Sequence, residues 1–286
     1  MTDQKRPLAE RLSCADSTFP RLSHETALRV IGDLGIAAVD VCVFAGSDHT
    51  PPADVVADPP AAADRVRRRL ERCELAVADV FAILGSEFDE LAVNHPDAQV
   101  RAQSLDCYRA VLDFARRLGA PGVTLLPGMP FDGVDADVGL ALAAAELQRR
   151  AELAAEAGLR LAIEPHYQSI AETPARTLDL IGQAPDVTLA LDHSHFVFQG
   201  FAQAEADALI PHAAHVHLRQ AAPGVMQTRT GEGAIDFRAL RDRLDADGYD
   251  GFLALEYQWE EWLDCTRVDC IAETAALRDL LLKETA

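Results

Sequence analysis

Short runs in which apolar and polar residues alternate every second position recur along the chain, separated by longer stretches with apolar residues three and four apart. The first pattern is that of a strand with one buried face and the second that of an amphipathic helix, so strands and helices are expected to alternate. Strands are expected at 11–15, 37–44, 75–83, 122–126, 161–166, 187–192, 214–220 and 252–257. Helices are expected from Ser23 to Gly35, from 59 to 73, and over 97–118, 135–157, 173–183, 205–210, 236–246 and 268–283, with a proline- and aspartate-rich loop running through Pro60. Such alternation implies parallel strands covered by helices. Eight strand and helix units in 286 residues match a single (β/α)8 barrel, which takes about 250 residues, so residues 1–286 are read as one α/β domain.

Four of these strands end in the same way. LAIEPH (161–166), VTLALDHSH (187–195), AHVHLRQ (214–220) and FLALEY (252–257) each close on a side chain of the metal-binding type. Their parity puts Leu161, Ile163, Leu189, Leu191, Val216, Leu218, Leu253 and Leu255 on the helix-covered face. Glu164, Asp192, His215, His217 and Glu256 fall on the inner face. Glu164, Asp192, His217 and Glu256 are separated by 28, 25 and 39 residues, and one βα unit takes roughly 30, so each comes from a successive strand. The last interval is long because it holds the glycine-containing insert APGVMQTRTGEGAID (222–236). Parallel strands bring all four to the C-terminal rim, where barrel enzymes keep their sites. Three carboxylates and one imidazole suit one divalent cation, Mn²⁺ first, with Mg²⁺, Co²⁺ or Zn²⁺ as alternatives.

Among the remaining histidines, His195 and His166 are placed to meet a substrate, and His215 to support the site from deeper in its strand. His24, His49, His95 and His212 carry no such pattern and are expected to fill structural roles. Tyr257, Trp259 and Trp262 suit either a pocket wall or a contact between copies of the chain in a homo-oligomer.

Charge removes other classes. A net charge of −20 opposes a nucleic-acid substrate, and the arginines of 65–72 read as the solvated face of a helix. Lys5 and Lys283 are the only lysines, which disfavours an imine-forming aldolase. The six cysteines, at 14, 42, 73, 107, 265 and 270, form no CxxC pair and are expected to be free buried thiols. With neither a membrane-length apolar run nor a signal-type segment, the expected location is the cytoplasm, without membrane partners.

In order along the chain, IEPH, LDHSH, HVHLRQ, RTGEG and LEY resemble the xylose isomerase-like TIM barrel superfamily of sugar phosphate isomerases and epimerases. The resemblance covers nearly the whole chain. It implies a metal-dependent isomerase or epimerase of a sugar or polyol, working by proton abstraction next to a carbonyl through a metal-stabilised enediolate. Glu164, Asp192, His217 and Glu256 would be the ligands, and the two glutamates would also move the proton. His195 and Arg229 would approach substrate hydroxyls. Two departures count against a ketose epimerase in particular: Gln220 where relatives carry a carboxylate in HLKD, and Ile170 where a glutamate is expected. The alternative on the same site is a dehydratase of the inosose or dehydroshikimate type, or a lyase that cleaves carbon-linked glycosides. An abasic-site endonuclease like the superfamily's nucleic-acid branch stands further off, because the third and fourth strands end in Ile83 and Leu126 where its metal cluster needs histidines.

Overall fold

The structure is a computed structural model that describes residues 6–283, so Lys5 lies outside the described residues. Eight parallel strands follow one another around a closed barrel: β1 (Leu12–Ala15), β2 (Ala38–Phe44), β3 (Ala76–Ile83), β4 (Gly122–Leu125), β5 (Arg160–Ile163), β6 (Thr188–Asp192), β7 (Ala213–Leu218) and β8 (Leu253–Leu255). β8 closes on β1 through the pairs Leu12 with Leu253 and Cys14 with Leu255. The covering helices are α1 (His24–Asp33), α2 (Pro52–Ala57), α3 (Pro59–Arg72), α4 (Ala98–Leu118), α5 (Ala136–Glu156), α6 (Pro174–Gln183), α7 (His193–Phe198), α8 (Gln203–Asp207), α9 (Phe237–Ala246) and α10 (Cys270–Leu282).

Helix starts follow local chemistry. The side chains of Ser23, Asp58, Asp97, Asp135, Thr173, Asp236 and Asp269 accept from otherwise unpaired amides of the first turn. Each such cap contributes ~1 kcal/mol. α4 stops at Gly119, whose φ of 75° is open to glycine at little cost.

Three expectations are corrected. The proline-rich segment after β2 contains the short helix α2, because Pro52 fits a first helical turn where no amide is required. The run LDHSH leads directly into α7, because Asp192 ends β6 and accepts from the Ser194 amide as a helix cap. The segment expected as a helix at 205–210 instead holds the end of α8 and a separate 3-10 turn, Ile210–His212.

Two apolar regions result from strand parity. Leu161, Ile163, Leu189, Leu191, Val216, Leu218, Leu253 and Leu255 join the core beneath the helices, while Ala15, Cys42 and Phe81 cluster separately with Phe44, Ile83 and Leu126. Ser13, Asp40, Asp79, Thr124 and His215 are also buried. All six cysteines are free; Cys73 and Cys107 are half-buried rather than buried, since both sit on outer helical segments. Among the described residues no helix is long and apolar enough to cross a membrane.

Candidate metal centre at the barrel mouth

Glu164 and Glu256 each lie one residue beyond a strand, yet both stay in the ladder. The Glu164 amide donates to the Leu125 carbonyl (2.9 Å) and the Glu256 amide to that of Leu218 (3.0 Å). Their carboxylates therefore leave a fixed backbone and converge on one imidazole. Glu164 Oε1 is 2.5 Å and Glu256 Oε2 3.1 Å from His217 Nδ1. The opposite edge of the ring meets Asp40 of β2, with Nε2 3.4 Å from Asp40 Oδ2. That same oxygen accepts from His215 Nε2 at 2.5 Å, so His215 supports the site from below. Phe81 covers the His217 ring, centroid to centroid 5.4 Å.

Asp192 stands beside this group with both oxygens engaged. Oδ1 accepts from the Ser194 amide (2.8 Å); Oδ2 accepts from the Ser194 hydroxyl (2.8 Å) and lies 3.2 Å from Arg219 Nε. Glu164 links the two halves: one set of donor atoms within 4.8 Å comprises Glu164, His217 and Glu256, another Glu164, Asp192 and His195.

The charges explain why a cation fits here. Burial and the neighbouring Glu256 push the Glu164 carboxyl up. Burial also raises Glu256, but His217 and Arg219 outweigh it and hold that carboxyl below the usual range. Burial disfavours a charged His217, yet Glu256 and Glu164 more than compensate and draw a proton onto the ring. Three donors thus share protons that a dication can replace, with oxygen and imidazole ligands suited to Mn²⁺ or Zn²⁺.

The centre forms part of the lining of a cavity of about 280 Å³. His166 and His195 line it, as do Phe44, Phe88, Trp259 and Trp262. His166 donates Nδ1–H to the Tyr167 carbonyl (2.7 Å), and burial lowers its pKa to about 4, so the ring is neutral. His195 is also neutral, because burial and Arg219 both oppose its charge; its one lone pair accepts either from the Tyr167 amide at 3.3 Å or from Arg219 Nη2 at 3.0 Å, according to the tautomer.

Arg229, expected here, is elsewhere. Its side chain is 67% exposed on the insert and pairs with Glu232 at 3.2 Å. Arg219 is the guanidinium of the mouth, and its signal was strand parity: it continues the inward series His215, His217, Arg219. Tyr257 is buried away from the mouth, its hydroxyl 2.9 Å from that of Thr230, whereas both tryptophans line the cavity. Ile170 packs toward Gly139 of α5 and does not line the mouth cavity.

Gln220 also has a structural answer. Its amide donates to the carbonyls of Thr230 (3.1 Å) and Ile235 (2.9 Å) and accepts from the amides of Ala221 (3.0 Å) and Ile235 (2.9 Å). A Cβ on Gly233 would overlap this amide, which is why the insert passes it with glycine. An ionised carboxylate has no proton to give the two carbonyls. Gln220→Glu is therefore expected to destabilise the protein by ~3 kcal/mol through buried unpaired acceptors. A lower melting temperature with faster proteolysis inside 222–236 would check this, and an unchanged melt would refute it.

A closed eight-stranded parallel barrel with a carboxylate and imidazole centre at its C-terminal mouth defines the class. The family model for xylose isomerase-like TIM barrels matches residues 28–281, and the chain belongs to that family. A curated relative, "Putative L-ribulose-5-phosphate 3-epimerase UlaE" of Shigella dysenteriae serotype 1 (strain Sd197), is 28% identical over 208 residues. That match spans 64% of this chain and 64% of the relative. The solved structure of L-ribulose 3-epimerase superposes with a TM-score of 0.72 at 21% identity, covering 95% of this chain and 93% of its own. The probable 3-DHS dehydratase AsbF from Bacillus anthracis gives 0.72 at 14%, covering 96% and 100%. At these identities the two structures establish the shared fold.

Proposed function

We propose that the protein is a divalent-metal-dependent isomerase or epimerase of a sugar or polyol, acting by proton abstraction next to a carbonyl. The observation that carries this reading is the placement of Glu164 and Glu256 at 2.5 and 3.1 Å from one imidazole nitrogen, from strands on different sides of the mouth. Glu164, His217 and Glu256 would hold the cation, with Asp192 joining once it exchanges Arg219 for the metal; Mn²⁺ is the first choice. A bound dication supplies Lewis acidity worth several kcal/mol toward ionising a carbon acid beside a carbonyl. Neutral His166 and His195 orient substrate hydroxyls, and the aromatic walls exclude water. The epimerase names of UlaE and of the L-ribulose 3-epimerase structure support this choice.

Elimination at the same site is the second reading, supported by Arg219, a buried guanidinium beside the carboxylates that can balance negative charge on a departing group, and by the dehydratase name of AsbF. Among the described residues lining the cavity Arg219 is the one lysine or arginine, against Glu164, Glu256 and Glu260, which favours a free sugar, polyol or glycoside over a phosphate ester and, with the net charge of −20, opposes a nucleic acid. Residues 1–286 act as one domain in this reading, in the cytoplasm.

The test is a panel of ketoses, inososes and dehydroshikimate in deuterium oxide with Mn²⁺. Uptake of one deuterium without another mass change marks epimerisation, and loss of water marks elimination. Absence of metal-dependent α-deuterium exchange throughout the panel overturns both.

A further inference from the structure

Behind the mouth wall, three buried side chains from separate segments meet. Asp16 lies in the 3-10 turn after β1, His24 begins α1, and His49 sits in the loop between β2 and α2; they are 0%, 4% and 4% exposed. Their ligand-type atoms all lie within 4.8 Å of one another. Asp16 Oδ2 is 3.1 Å from His24 Nε2, yet neither atom makes a hydrogen bond, nor does His49 Nδ1. The pair is within ion-pair reach without hydrogen-bond alignment, and the two imidazole rings lie nearly parallel, their centroids 4.9 Å apart and their planes 14° apart.

The other atom of each group is engaged. His49 Nε2 is 2.8 Å from the Leu22 carbonyl, which can only accept, so Nε2 carries a proton and Nδ1 is the ring nitrogen left for a cation. Asp16 Oδ1 accepts from the Cys42 amide at 3.1 Å. Unpaired buried polar atoms cost free energy, and a carboxylate oxygen and two ring nitrogens within 4.8 Å of one another make a donor set that a cation can satisfy once the His24 proton moves to Nδ1.

We propose that Asp16, His24 and His49 form a second divalent-cation site. One carboxylate oxygen and two imidazole nitrogens suit Zn²⁺, with one position left for water. The site shares no residue with the mouth centre and does not rest on the function proposed for it. Its position assigns it a bracing role: Ser17 and Pro20 from one segment it ties, and Gly46 and Ser47 from the other, line the cavity. Arg69 is its competitor, with Nη1 3.0 Å from His24 Nδ1 and 3.4 Å from the His49 carbonyl. When Nε2 takes the cation, Nδ1 carries the ring proton and Arg69 keeps only the carbonyl.

Chelator-stripped full-length protein, reloaded with Zn²⁺ and desalted, is expected to retain two equivalents by elemental analysis. His49→Ala and His24→Gln should each retain one, His217→Ala one, and His49→Ala combined with His217→Ala none, while Arg69→Met should hold the second equivalent more tightly. Circular dichroism checks that each variant is folded. A wild-type protein that takes one equivalent, abolished by His217→Ala, overturns the second site and leaves the mouth centre standing. One equivalent abolished by His49→Ala instead does the reverse. A wild-type protein that retains no zinc overturns the proposal whether or not the variants fold, and a single equivalent is assigned by whichever of the His24, His49 and His217 variants folds.

Discussion

His217→Ala is expected to lose the mouth cation and turnover together, with the rate falling roughly a thousandfold, about 4 kcal/mol of transition-state stabilisation. Glu164 and Glu256 approach each other through the His217 ring, so its removal leaves two buried carboxylates with no nitrogen between them. Their mutual repulsion is relieved by protonation, and a protonated carboxyl is a poor ligand. The fold should survive, because the apolar contacts that join strands to helices run through Val216 and Leu218, on the opposite face of β7. Metal analysis beside circular dichroism is the check. Unchanged metal content at the mouth in a folded variant would remove His217 from the centre.

The second large effect is expected from Glu164→Gln and Glu256→Gln. An amide of nearly the same shape cannot take a proton, so a metal-loaded variant lacking the base for a given substrate should exchange the α-proton ~100- to 10,000-fold more slowly. β5 and β8 bring the two carboxylates from different sides, which allows removal at one face and return at the other. Either glutamate can therefore be the base, according to the configuration of the substrate. Solvent deuterium exchange on each variant, with metal content and substrate affinity measured alongside, separates the roles. Exchange at the wild-type rate in both would sink the two-glutamate mechanism.

The barrel is readable in the sequence because its signal is periodic: eight alternating runs with apolar residues facing the helices, the last four of them closing on acid or imidazole. Glu164, His217 and Glu256 were readable for the same reason. What parity could not convey was how each side chain spends its hydrogen bonds. Asp192 stands at the mouth as expected, but it is also a helix cap and a partner of Arg219, because the chain turns into α7 without a loop. The resemblance of RTGEG to the family places Arg229 near a substrate, whereas here its side chain is exposed on the insert and pairs with Glu232. Gln220 looked like a missing carboxylate until its four backbone partners explained why an amide is required. The meeting of Asp16, His24 and His49 depends on the parallel pairing of β1 with β2, which sets the segment after one strand against the loop after the other, and no local pattern announces it.

The chain's two tryptophans, Trp259 and Trp262, both line the cavity, and the Trp262 ring lies 6.1 Å from that of His195. Light absorbed at the red edge of the protein band is therefore taken up at the mouth alone. The intrinsic emission of the unmodified protein is a local optical signal, able to follow ligand entry in real time without any attached dye.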